Sequence, residues 1–93
     1  MLYLDVIWKH DDEDEPIRIF SEIDENGYEH RKVEVYRDGK IGYAFAEVEH
    51  QGTRLSPEAI PPLEEINRDS QFEAVVIEKA DFEKHWAHFV PKH

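Results

Sequence analysis

The chain has no cysteine, one methionine, four glycines and five prolines among its 93 residues. Without thiols there is no disulfide framework, no thiolate metal site and no cysteine nucleophile, a usage that fits a reducing compartment. The four glycines (Gly27, Gly39, Gly42, Gly52) are scattered, so none belongs to a glycine-rich phosphate loop. No apolar run approaches the ~20 residues a membrane span needs. Residues 1–9 lack a basic start and a small-residue cleavage site, and Asp5 interrupts their apolar run, so they do not read as a signal peptide. A cytoplasmic location is the expectation. Bases are also scarce: 11 Lys and Arg against 22 Asp and Glu give a net charge of -11. Such a field repels nucleic-acid backbones and anionic membrane surfaces. It points to a basic partner, a cationic protein surface or a metal ion. The plainer reading is that acidity keeps a small protein soluble.

What is present suffices for a core. At 40% hydrophobic and 12% aromatic, the chain is no disordered acidic tail, and its length corresponds to one domain, residues 1–93. Leu2, Leu4, Val6 and Trp8 alternate with Tyr3, Asp5 and Ile7, a period-two strand whose first group is expected to face the main core. Five consecutive acids ending at Pro16 then form an exposed loop. Ile17, Ile19 and Ile23 mark a second strand, and Asn26-Gly27 a turn.

Residues 28–37 and 40–49 read as two further strands around Asp38-Gly39, a pair suited to a two-residue type I′ hairpin. That turn places Tyr36 opposite Ile41, Glu34 opposite Tyr43 and Lys32 opposite Phe45, with Val33 facing Ala44 and Val35 facing Gly42. Tyr36, Tyr43 and Phe45 would then share one face, as core or as a stacking platform. Beyond residue 49 come a loop, a short helix after Pro61-Pro62 with Glu64 and Glu65 in its first turn, and a strand over residues 71–78. A last helix carries Phe82, Trp86 and Phe89, and Pro91 stops it. The expected fold is α+β: an antiparallel sheet of four to five strands, with the short helix and the C-terminal helix packed on one face.

Several segments carry a resemblance. They are Trp8-x-His10-Asp11, Glu15-Pro16, Ser21-Glu22-Ile23-Asp24, Arg31-Lys32-Val33-Glu34-Val35-Tyr36-x-Asp38-Gly39-x-x-Gly42-Tyr43-Ala44, Gly52-Thr53-Arg54-Leu55, Pro62-x-Glu64-Glu65-Ile66-Asn67 and Phe82-x-x-x-Trp86. Together they resemble a small bacterial family of domains of about this length and of unknown function, over nearly the whole chain. The resemblance implies no activity, cofactor or catalytic residue. It does imply a shorter acidic run in relatives, so a role for that run would belong to this protein.

Catalytic constellations are missing. Ser21, Ser56 and Ser70 sit in no nucleophile elbow and have no evident His–Asp partner, and no carboxylate pair stands out. The expectation is a non-enzyme without cofactor. His85 and His88 lie three apart on the last helix, but two ligands do not make a metal site. The acidic run Asp11, Asp12, Glu13, Asp14 and Glu15 lacks the alternate spacing and central glycine of a calcium loop. His10 beside it is placed to respond to pH, and titrating all six histidines would move the formal charge from -11 to -5.

The leading expectation is a small acidic protein-binding module of the immunity or antitoxin type, capping a basic toxin such as a nuclease through residues 11–15 together with Asp24 and Glu25. The alternative is a small-molecule or ion-binding domain using His10, Arg31, Lys32 and Arg37. The two differ observably, because a ligand domain should carry a concave apolar pocket with a few convergent polar groups.

Overall fold

The computed structural model describes residues 1–92. In chain order the elements are β1 (Leu2–Trp8), β2 (Arg18–Ile23), β3 (Glu29–Val35), β4 (Ile41–Phe45), β5 (Val48–His50), α1 (Leu63–Arg68), β6 (Phe72–Ile77) and α2 (Lys79–Phe89). The strands form one antiparallel sheet in the order β5-β4-β3-β2-β1-β6. The α+β plan holds, with six strands instead of four to five. The extra strand comes from the segment expected to run unbroken over residues 40–49. Phe45 pairs directly with Val48, so Ala46 and Glu47 form a two-residue turn, with Ala46 at φ 48°. A left-handed alanine carries no compositional flag, which is why the break was invisible in the sequence.

The β3–β4 hairpin corrects the expected register by one residue. Val35 pairs with Ile41, Val33 with Tyr43 and Arg31 with Phe45. Tyr36 N–H donates to the Lys40 carbonyl at 2.9 Å and Gly39 N–H to the Tyr36 carbonyl at 3.0 Å. Gly39 is the single left-handed residue of this loop (φ 91°), whereas a type I′ turn needs two. The loop is therefore three residues closed by a glycine bulge. The slip decides the face: Val33, Val35, Ile41, Tyr43 and Phe45 all join one apolar cluster, which the I′ register would have split. Tyr36 leaves that face. The β2–β3 turn repeats the design, with Asp24 N–H donating to Tyr28, Gly27 N–H donating to Asp24, and Gly27 at φ 89°.

Both faces of the sheet are covered, and the helices lie on opposite sides, not on one. Tyr3, Phe20, Val33 and Tyr43 pack with Phe82 and Val90, the residues that α2 and its end contribute. Leu4, Val6, Ile23 and Ala74 form a second, smaller cluster with Leu63 and Ile66 of α1. The reason is spread over the strands: Tyr3, Phe20, Val33 and Tyr43 make one face apolar while Leu4, Val6, Ile23 and Ala74 make the other so, and a sheet with two apolar faces needs two covers. The larger core thus lies on the Tyr3 side, not on the side of Leu2, Leu4, Val6 and Trp8. Among the described residues no helix is long and apolar enough to cross a membrane.

Candidate functional site

The two covers are unequal. The α2 side is packed more tightly at its centre: Phe82 and Phe20 are fully buried, and Arg31 lies over the Phe82 and Trp86 rings at 4.9 and 5.0 Å, with a cleft of about 410 Å³ left at the helix end between Arg31, Phe45, Trp86 and Val90. By contrast α1 is six residues long and buries none of them completely. It is held at its two sides. Upstream, Ile60 N–H donates to the Gly27 carbonyl at 2.7 Å, bringing the 56–62 segment across the β2–β3 turn. Downstream, the Asn67 carboxamide bonds Ala74, accepting its N–H at 2.7 Å and donating to its carbonyl at 2.9 Å. Between these anchors the helix bridges the sheet and leaves a cavity of about 400 Å³. That lies within the roughly 300–1,000 Å³ typical of ligand pockets.

The cavity walls are apolar: Leu4 and Val6 from β1, Ile19 from β2, Ile60, Ile66 from α1 and Phe72 from β6. Its polar lining comes from Ser21, Glu29, Lys32, Glu65 and Asp69. A bulge aims Glu29 here. Glu22 pairs with Arg31, but Ile23 pairs with Glu29, so His30 is the inserted residue. Without the insertion, strand alternation would turn Glu29 to the α2 face. Its carboxylate, on a residue 7% exposed, accepts from Ser21 Oγ at 3.1 Å, from Ser56 N–H at 2.7 Å and from Lys32 Nζ at 2.9 Å. Lys32 also donates to the Arg54 carbonyl at 3.1 Å. The buried Glu29 carboxylate is thus compensated by a cation and two further donors, as burial of charge demands.

The residues singled out from sequence do not gather in one place. Lys32 lines the cavity. Arg31, its neighbour, faces the other side of the sheet, where it donates to both Glu22 oxygens at 2.9 and 2.7 Å and to Glu83 at 2.7 Å. Those donors hold the Glu22 carboxyl below the usual range, and the carboxylates raise Arg31 in turn. His10 and Arg37 meet at the far end of the sheet, where Arg37 Nη2 donates to the His10 carbonyl. His10 itself takes Asp12 N–H on Nδ1 at 3.0 Å and lies 2.7 Å from the Pro16 carbonyl through Nε2. Proposed as one ligand set, these four residues are split three ways.

The acidic set is split as well. Asp11, Asp12, Glu13, Asp14 and Glu15 are exposed on the β1–β2 loop, and none forms an ion pair among the described residues. Glu13 and Asp14 line a small polar cleft beside the Asp38 hairpin tip. Asp24 and Glu25 lie at the opposite end of β2, a strand of six residues, so the two groups are roughly 20 Å apart. Asp24 is moreover spent on the turn: it accepts from Asn26 N–H, Tyr28 N–H and the His30 ring at 2.9, 3.0 and 2.9 Å. The His30 contact first, and the two backbone donors after it, hold its carboxyl below the usual range. His85 stacks on Phe20 at 4.2 Å, a packing role. Among the described residues no group of three or more His, Asp or Glu could hold a metal ion.

The chain matches the family described as Domain of unknown function (DUF6881) over residues 2–91. It belongs to that family. No curated protein and no solved structure matches it. Membership agrees with the resemblance read from the motifs and assigns no role to the cavity. Ser21, Glu29, Glu65 and Asp69 were not among the residues expected to bind a ligand, although Ser21 and Glu65 stood in the sequence motifs. One signal was available: Ser21 occupies the inward position of the Ile19-x-Ser21-x-Ile23 stripe, a polar residue where alternation asks for an apolar one.

Proposed function

We propose that this domain binds a small, largely apolar molecule in the cavity beneath α1. The observation that carries the reading is the pairing of an apolar lining with the convergent Ser21, Glu29 and Lys32 groups at one end of a concave space. Only Lys32 of the residues expected to bind a ligand belongs to it. The test is a fragment screen by amide chemical-shift mapping on the labelled protein. Fragments that bind should shift the resonances of residues 19, 21 and 66 together. An Ile19→Phe variant, which fills the space, should remove those shifts while keeping a folded spectrum. Fragments that never converge on these residues would refute the reading.

A second reading has its own observation, the five exposed carboxylates of residues 11–15, none of them in an ion pair among the described residues. Under it the domain is an acidic protein-binding module, an immunity or antitoxin-type inhibitor that caps a basic toxin such as a nuclease. Asp24 and Glu25 join that contact only if the partner spans the length of the sheet. A salt-eluted basic protein retained by the tagged domain, with retention lost when residues 11–15 are neutralised, supports it.

A further inference from the structure

We propose that the cavity beneath α1 takes an amine, an apolar body carrying a cationic ammonium head. This rests on the ligand-binding reading above and adds the sign of the ligand. Among the described lining residues Lys32 is the one base, and its ammonium is already bound to Glu29 and to the Arg54 carbonyl. An anionic head would find only the third N–H of Lys32, on a charge that Glu29 already neutralises and beside that carboxylate, so it would gain little attraction and meet repulsion from Glu29. The other charges in the lining are Glu65 and Asp69, both exposed on the α1 side and neither in an ion pair among the described residues. Asp69 commits one oxygen, Oδ1, to Gln71 N–H. Ser21 gives its proton to Glu29 and so offers an acceptor. Apart from the third N–H of Lys32, the open positions around the cavity are therefore acceptors and negative charges. They suit a group that donates and is positive, and the net charge of -11 draws cations to the same mouth.

The experiment compares cyclohexylamine, cyclohexanol and cyclohexanecarboxylate, one hydrocarbon body with three heads, against the full chain at neutral pH by amide shift mapping. The amine should bind roughly 3–10-fold more tightly than the carboxylate, the neutral alcohol falling between. A Glu65→Gln/Asp69→Asn double variant should remove that preference without changing the alcohol, and added salt should weaken the amine alone. A carboxylate that binds as well as the amine, or an amine preference that survives the double variant, overturns the inference and leaves the ligand site standing. Three probes that all fail to shift residues 19, 21 and 66 overturn the site itself and the inference with it.

Discussion

Arg31 reaches three carboxylate oxygens, two on Glu22 and one on Glu83, with its guanidinium also laid across two aromatic rings. Removing it strands the Glu22 carboxylate on a residue 7% exposed. Arg31→Ala should therefore cost about 3–5 kcal/mol, measured by urea unfolding, whereas Lys9→Ala, whose partner Glu73 is exposed, should change nothing measurable. Glu22 also gives a pH dependence. Its carboxyl in the folded chain lies below the unfolded value of 4.5, chiefly through the Arg31 hydrogen bonds. Its contribution is complete above that value and is lost as the pH falls through the lower, folded value. Urea midpoints should thus drop below pH 4.5, and Glu22→Gln should flatten that part of the profile; an unchanged slope would show that other carboxylates carry it. Gly42 is fixed by contact and not by φ. A Cβ there would lie 1.9 Å from Thr53 Oγ1, which donates to Glu34 at 2.6 Å, so Gly42→Ala should cost about 1–3 kcal/mol.

At the scale of elements, β6 is an edge strand with Val75 and Val76 exposed, a template for unwanted pairing. Asn67 guards it, because its carboxamide takes both backbone groups of Ala74 as a neighbouring strand would, and Phe72 N–H goes to the Asp69 carbonyl. Asn67→Ala should leave that buried amide and carbonyl unpaired, lower stability by about 1–3 kcal/mol and open the edge. Concentration-dependent self-association in sedimentation is the expected signature, and a monomer of unaltered stability would refute the guard. Elements of this kind mark where sequence reading works and where it stops. The period-two pattern of β1, the turn at Gly27 and the aromatic stripe of α2 were legible because each is a local preference. The hairpin register was legible too, had the faces been weighed above the turn dipeptide: only the three-residue loop unites Val33 and Val35 with Tyr43 and Phe45. The turn at Ala46 and the bulge at His30 were not legible, since neither residue type asks for its conformation. The cavity followed them out of reach, because Glu29 joins it only through that bulge.

The whole molecule carries its charge unevenly, and the unevenness separates the two functional readings. The cavity mouth and the 11–15 loop are held by different ends of the structure, one by α1 and the β2–β3 turn, the other by the β1–β2 connection and the β3–β4 hairpin tip. Converting Asp11, Asp12, Glu13, Asp14 and Glu15 to their amides removes five of the 22 acids without touching a side-chain ion pair. Stability should rise slightly or stay within about 0.5 kcal/mol, because repulsion falls while the Asp12 cap on Asp14 N–H persists with an amide oxygen. Amine binding beneath α1 should weaken by no more than the long-range field, an effect that vanishes as salt rises past physiological strength. Association with a basic protein should instead slow by an order of magnitude or more at low salt and lose its salt dependence, since steering by a negative patch acts on encounter. Measured side by side on the same variant, unchanged amine affinity with lost protein association would assign the loop to a partner and the cavity to a ligand. Equal loss of both at high salt would mean that the two ends act as one site, against the separation the fold imposes.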